Sequence, residues 1–338
     1  MSATSSPLSP IPQDLIVKSK PKYLRTLIIY VVLITLLYFA LRNAPFLEIW
    51  SALKQLQLWQ IATLLIIDAL IYALITLRWW IIVRAESKAV PYIPLLAVRI
   101  AVFGVSYFTL GPQVGGEPLQ VFYLQRNYGI TYTRATASAL MDKLLEFLAN
   151  FLLLAVGLTA VLQAGILNTS GSNSLVSLGG LVILFAWPPI HIILMIRGKY
   201  PVSAILRRIT NKKFTRFIFA SERMAAAFCR RHLSSLLAAL TVSVLAAVGM
   251  LTEFFLITTF LQIDLSLSQT IAAWTAGWLA FLVPVPAGLG ALEASQVFAF
   301  DVFGISAASA ISVAFLMRGR DLLIGGLGLL FAGKWAGR

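Results

Sequence analysis

Gly111-Pro112-Gln113-Val114-Gly115-Gly116-Glu117-Pro118 lies between two apolar runs, residues 95–110 and 119–124. A stretch so rich in Gly and Pro cannot continue a membrane helix unchanged, because Pro removes an amide donor and clashes with the preceding turn. A glutamate in that setting needs a partner or water, since an isolated charge at membrane depth is costly. A counterpart appears late in the chain, Pro284-Val285-Pro286-Ala287-Gly288-Leu289-Gly290-Ala291-Leu292-Glu293. Two such breaks, one in each half of a hydrophobic chain, point to a transporter-like site near the middle of a bilayer.

The residues around the breaks bear this out. Of 338 residues, 59% are hydrophobic and 12% charged, with a mean hydropathy of +0.87. That balance belongs to a polytopic all-α membrane protein. Cys229 is the one cysteine, which excludes an internal disulfide framework and a cysteine metal cluster. His191 and His232 are far apart, without partner ligands at useful spacing. No metal or cofactor is therefore expected. The net charge of +14 marks cytoplasmic loops facing anionic lipid, not a nucleic-acid partner. The glycines lack the Gly-x-x-x-x-Gly-Lys-Ser/Thr pattern of a nucleotide site.

Taken in order, residues 1–22 read as a disordered, Ser/Pro-rich cytoplasmic tail without a signal-peptide pattern. Spans are predicted at about residues 24–41, 61–83, 135–162, 175–196, 236–261 and 307–332, with an interfacial stretch at 42–59. Residues 197–231 carry ten Lys/Arg and one acid, Glu222. Their spaced apolar residues (Val202, Ile205, Leu206, Ile209, Phe217, Ile218) predict an amphipathic helix on the cytoplasmic membrane surface.

The positive-inside rule then orders the spans. With the N-terminus inside, the basic residues Arg78 to Lys88 fall inside, and so do residues 197–231. Counting back, the uncharged link 163–174 is outside, and Arg126 and Arg134 are inside. Residues 95–125 thus begin and end on the cytoplasmic side and form a re-entrant hairpin, which is tolerated where protein or a wet cavity covers it. Residues 267–303 mirror them from outside, and the C-terminus is cytoplasmic. The expected architecture is an inverted repeat, 23–174 and 175–338, with about six full spans and two hairpins. Gly129-Ile130 with Gly304-Ile305, and Leu140-Met141-Asp142-Lys143 with Leu316-Met317-Arg318-Gly319, support the duplication.

Seven acids fall within the predicted membrane segments: Asp68, Glu117, Asp142, Glu146, Glu253, Glu293 and Asp321. The candidate bases are Arg99, Lys143, Arg318 and Arg320. Asp142 with Glu146, and Arg318 with Asp321, share helix faces by spacing. These charges either brace the bundle or line a site. Pro118 suits the start of a helix. The arms that follow Gly115-Gly116 and Gly288/Gly290 would aim helix N-termini at mid-membrane, where they attract anions such as a lipid phosphate. The alternative is that the glycines serve close helix packing.

Pro112-Gln113-Val114-Gly115-Gly116-Glu117-Pro118, Gly129-Ile130 and Ala139-Leu140-Met141-Asp142-Lys143 resemble the flippase-like membrane proteins related to the transmembrane part of lysylphosphatidylglycerol synthase, the multiple peptide resistance factor. Residues 284–294 resemble that family's second signature, and the similarity covers roughly residues 23–334. Ala287 and Gln120 depart from its usual Gly and Arg. With the chain ending just after the last span, the aminoacyl-transferase domain is not expected. The resemblance implies movement of a membrane lipid, phospholipid or polyprenyl-phosphate-linked, across the plasma membrane. The candidate substrate-binding set is Gly115, Gly116, Glu117, Asp142, Lys143, Gly288, Gly290, Glu293, Arg318, Arg320 and Asp321, with no catalytic residue. The alternatives are an integral-membrane enzyme acting on a lipid phosphate and a non-catalytic partner of an envelope lipid synthase.

Overall fold

The computed structural model describes residues 56–87, 89–109, 115–163, 186–206, 212–282 and 288–336, together with Leu47, Trp50, Ser51 and Lys54. The expected tail, the first span, the uncharged link and the centres of both breaks (111–114 and 284–287) lie outside the described residues. The described residues form helices joined by short turns: α1 Leu58–Glu86, α2 Tyr92–Phe108, α3 Glu117–Tyr128, α4 Tyr132–Gln163, α5 Ala186–Ile196, α6 Pro201–Leu206, α7 Lys212–Arg231, α8 Leu233–Phe260, α9 Leu267–Ala280, α10 Ala291–Val302 and α11 Ala307–Ala336.

Four of these are long. At 29, 32, 28 and 30 residues, α1, α4, α8 and α11 exceed the roughly 20 residues that a hydrocarbon core demands. In α1 and α8 an apolar composition accompanies the length, making both long and apolar enough to cross a membrane. The other two carry charges, but inward. Asp142, Arg318 and Asp321 are at most 4% exposed, while Leu152, Val156, Leu323 and Leu327 on the same helices face out. A body that is apolar outside and ionic within suits a lipid surround, where charge must turn inward and apolar surface carries no penalty.

Both interrupted stretches fold as pairs of short helices. The arms α2 and α3 have 17 and 12 residues, and α9 and α10 have 14 and 12. At 1.5 Å per residue these reach about 18–25 Å, short of a bilayer core of about 30 Å. The arms of each pair pack on each other, and Gly129 and Gly304 end the second arms with φ of 65° and 72°. The packing partners are reciprocal. The first arm α2 lies along α11, which follows the second pair; the first arm α9 lies against α4, which follows the first pair. In the same way α3 packs on α4 and α10 on α11, while α1 lies along α8.

The α2–α11 contact depends on missing side chains. A Cβ on Gly104 would stand 2.5 Å from the Gly325 carbonyl oxygen, and one on Gly328 would stand 2.2 Å from that of Ile100. Backbones approach this closely only where small residues line both helices. Elsewhere the interior is filled by larger groups. Phe151, Leu154, Phe254, Trp274, Trp278 and Phe300 form one buried cluster between α4, α8, α9 and α10.

The basic segment departs from its sequence reading. Instead of resting only on a membrane surface, α7 docks on α4, burying Ala225, Ala226, Phe228 and Cys229 with Met141 and Leu145. Ile205 on α6 is exposed. The dock is pinned by Glu222 of α7, which is fully buried. Its carboxylate accepts the Val202 and Ser203 amides at 3.0 and 2.9 Å and the Ser203 hydroxyl, and it meets His191 Nε2 at 3.2 Å. Burial alone would raise the Glu222 carboxyl, but hydrogen bonds from His191, Ser203 and Val202 outweigh it and hold the group below the usual glutamate value. Burial pushes the Cys229 thiol up to about 11.

Two outcomes are expected. Gly328→Leu forces α2 away from α11 and lowers the thermal midpoint of the purified protein, whereas Gly326→Leu, where nothing stands within 4 Å, leaves it nearly unchanged. For the α7 dock, a depressed carboxyl stabilises above its unfolded-state value and loses that contribution as the pH falls through its folded-state value. Cys229 should thus stay closed to a dithiodipyridine probe at neutral pH and open below the ordinary glutamate range. Glu222→Gln should open it at neutral pH by roughly tenfold or more, as loss of charge-assisted hydrogen bonds of about 1.5–3 kcal/mol implies. A closed Cys229 in that variant would show that Glu222 does not hold the dock.

Candidate functional site

Asp142 lies one-third of the way along α4, where the helix faces α1 and α2. It is 2% exposed. Its two oxygens take different arginines: Oδ1 accepts Arg78 Nε from α1 at 2.7 Å, and Oδ2 accepts Arg99 Nη2 from α2 at 2.6 Å. One turn on, Glu146 accepts Arg78 Nη2 at 2.9 Å and Lys143 Nζ at 3.1 Å. The i,i+4 spacing of Asp142 and Glu146 thus places both acids on one arginine. Arg78 falls elsewhere than the sequence suggests. Its basic neighbours suggest the cytoplasmic end of a span, yet it is 1% exposed and ionically clamped.

A second group forms where α1, α8 and α11 meet. Arg320 Nη1 binds Glu253 and stands 3.7 Å from Asp68 Oδ1, while its Nη2 binds Asp321 at 2.7 Å. Arg318 faces Asp321, as its spacing suggests, but its ion pair is with Glu293 of α10. It also approaches the Gly288 carbonyl at 3.4 Å. Asp68 and Glu253, noted in the sequence as membrane acids but left out of the candidate set, belong to this centre.

The two helix starts that follow the breaks are built alike. Gly115 N–H donates to Glu117 Oε2 at 2.8 Å, and Gly290 N–H donates to Glu293 Oε2 at 3.1 Å. Gly116 N–H is held by Ser106 Oγ at 2.8 Å, and a Cβ on Gly116 would stand 2.2 Å from the Val102 carbonyl oxygen. The amides expected to meet a lipid phosphate are therefore engaged by the protein's own side chains, which exploit the same partial positive charge. Each glutamate then reaches a base on the following long helix: Glu117 to Lys143 at 3.6 Å and Glu293 to Arg318. In the sequence match noted above Arg318 stands opposite Asp142 and Lys143 opposite Gly319, so the two bases are one residue out of register, yet each takes the glutamate of the preceding helix start.

Both ionic groups open onto one cavity of about 180 Å³. Its polar wall includes Asp68, Arg99, Glu117, Gln120, Asp142, Lys143, Glu146, Glu253, Arg320 and Asp321. The remaining wall is apolar and aromatic, from Phe103, Phe254, Trp274, Trp278, Phe281 and Met317. Of the candidate set, Glu117, Asp142, Lys143, Arg320 and Asp321 line this cavity; Glu293 and Arg318 pair behind it, and the glycines lie at the helix starts rather than on its wall. Sequence reasoning missed Gln120 as a wall residue and Arg78 as a clamp. Their signals were a polar side chain on a short membrane arm and an arginine in mid-helix.

No curated protein and no solved structure matches the chain at a significant level. Residues 24–328, however, match the family described as the lysylphosphatidylglycerol synthase TM region, the same family that the hairpin motifs resemble. The chain, with that match running through both interrupted stretches and every helix of the cavity, belongs to the lysylphosphatidylglycerol synthase transmembrane-region family.

Proposed function

We propose that this chain carries an anionic lipid, phospholipid or polyprenyl-phosphate-linked, from one leaflet of the plasma membrane to the other. The observation that carries the reading is the cavity. It lies inside helices whose outer faces are apolar, and it joins an ionic wall to an aromatic one. A cavity of about 180 Å³ is smaller than a drug-sized site of about 300–1,000 Å³. It takes a headgroup and leaves the acyl chains against the apolar wall and the lipid.

The architecture supports movement. In this reading α2–α3 and α9–α10 are re-entrant hairpins entering from opposite faces, within an inverted repeat of about six spans. Arms of about 18–25 Å suit a turn at mid-membrane. The reciprocal packing of α2 on α11 and of α9 on α4 is what a two-fold axis in the membrane plane produces. Rocking of one half against the other would then expose the cavity to either leaflet. Lys143 and Glu117 stand at the edge where this happens: at 3.6 Å their pair is loose, and their side chains are 23% and 27% exposed. The pairs on Asp142 are shorter and buried, and serve as the brace.

Reconstitution in liposomes tests the function. Labelled phospholipid should change leaflet, unaltered, in vesicles holding the protein; a chemically changed lipid would mean an enzyme, and neither result a binding partner. Glu117→Gln and Lys143→Gln should cut transfer by about tenfold or more while the protein still unfolds near the parent temperature. Asp142→Asn, which leaves two buried arginines short of their acceptor, should lose stability on the order of 3–5 kcal/mol. Transfer unchanged in the first two variants would remove them from the path.

Topology is tested separately. Cysteine at Asn127, exposed at the end of α3, should label only from the cytoplasm, and at Asp301, exposed on α10, only from outside. The buried Cys229 adds no background. Labelling of both from one side would rule out the inverted arrangement.

A further inference from the structure

Two residues of the cavity wall carry a buried donor without a partner. Arg99 is 7% exposed and Gln120 is 1% exposed; Arg99 Nε and Gln120 Nε2 make no hydrogen bond, and both residues line the cavity wall. Leaving a buried donor unmade is costly, so a pair of them in one cavity is arranged for an acceptor that arrives. The second hairpin shows the alternative. Gln296 follows Glu293 by the same three residues that separate Gln120 from Glu117, and its Nε2 donates to the Ala273 carbonyl at 3.0 Å. The Nε2 donor is satisfied within its own hairpin there, with Gln296 Oε1 left unpartnered, whereas in the first hairpin the donor itself has no partner.

The charges around the cavity are unequal. On the α4 side, Arg78, Arg99 and Lys143 balance Glu117, Asp142 and Glu146. On the α11 side, Asp68, Glu253 and Asp321 gather on Arg320, while Arg318, which also faces Asp321, is ion-paired with Glu293. The other groups facing this centre are Tyr72 of α1, Tyr107 of α2 and Arg318 of α11. None of them supplies a further unpaired cation. An anion entering at Arg99 and Gln120 thus meets a cavity already in negative excess.

We propose that the cavity binds one anionic phosphate oxygen at Arg99 Nε and Gln120 Nε2 and, in the same step, takes up a proton from water onto the Asp68–Glu253–Asp321 group. The lipid identity of that phosphate rests on the proposed function; the anion-and-proton linkage does not. Arg99 keeps its Asp142 contact through Nη2 while Nε meets the ligand, so the brace survives binding. The proton returns to water when the phosphate leaves, which ties direction of movement to the proton gradient and needs no nucleotide. Lowering the pH fills the carboxyl group in advance, so anion affinity rises as pH falls, by at most tenfold per pH unit for one proton.

Titration calorimetry on the full chain in neutral detergent, with dihexanoyl phosphatidylglycerol and with inorganic phosphate as separate probes, tests the linkage. Runs in two buffers of different ionisation enthalpy count the protons. The expected result is uptake approaching one proton per bound anion, with affinity falling as the pH rises. Gln120→Glu keeps the shape, removes the donor and should weaken binding at least tenfold. Asp68→Asn with Glu253→Gln should bind the anion at every pH with no proton uptake. Binding with no proton exchange in the parent chain, or undiminished binding in Gln120→Glu, overturns the proposal. If the lipid neither binds nor moves in liposomes but inorganic phosphate binds with a proton, the lipid reading fails and the linkage stands. If lipid moves in liposomes but binds without a proton, the linkage alone fails.

Discussion

Asp142 is held by two arginines from two other helices, and the rest of the molecule is arranged to keep that contact dry and complete. Arg78 on α1 and Arg99 on α2 each give it a hydrogen-bonded ion pair at 2.7 and 2.6 Å. Removing charged groups from water costs several kcal/mol per ion, recovered only when geometry and remaining hydrogen bonds are good. In a lipid surround, no solvent rescues a failed pair. The contact therefore specifies where α1, α2 and α4 stand relative to one another more strongly than apolar packing does, because lipid competes freely for apolar contacts and not for ionic ones.

From that constraint the differences between the two ionic groups follow. The α4 group has as many cations as carboxylates and is tightly paired. The α11 group has three carboxylates on one guanidinium, and Arg318 is drawn away to Glu293. One half is a brace and the other half holds charge in excess. Between them lies the cavity, whose ionic wall is fed by α1, α2, α3, α4, α8 and α11 and whose apolar wall draws on α1, α2, α8, α9 and α11. The glycine contacts of α2 with α11 bring the halves close enough for one cavity to see both.

The two glutamates at the helix starts show how one local motif takes on different work. Each caps the amide of a preceding glycine and each reaches a base on the next long helix. Glu117 does so at the cavity edge with a loose lysine; Glu293 does so with a buried arginine behind the wall. The helix N-termini still act as anion sites, but the anion each holds is the protein's own.

Much was determined by sequence alone. Hydropathy sets the class, and the family follows from the motifs around Gly115–Glu117 and Gly288–Glu293. Gly and Pro cannot propagate a helix, so both breaks were visible, and the spacing of Asp142 with Glu146 placed them on one face because helix periodicity is local. Partners across helices were not legible, since a single chain carries no record of which faces meet. Arg78 looked like a span-end marker and became a buried clamp; Arg318 shared a face with Asp321, but its ion pair with Glu293 of another helix could not be read from spacing. The amphipathic face of α7 announced that it would be covered but not by what, because lipid and the side of α4 are equally apolar. Only tertiary packing decided that Asp68, Glu253 and Arg320, separated by up to about 250 residues, would share one cavity wall. Ionic pairing in a low-dielectric interior depends on distance in space, which sequence spacing reports only within a turn or two of one helix.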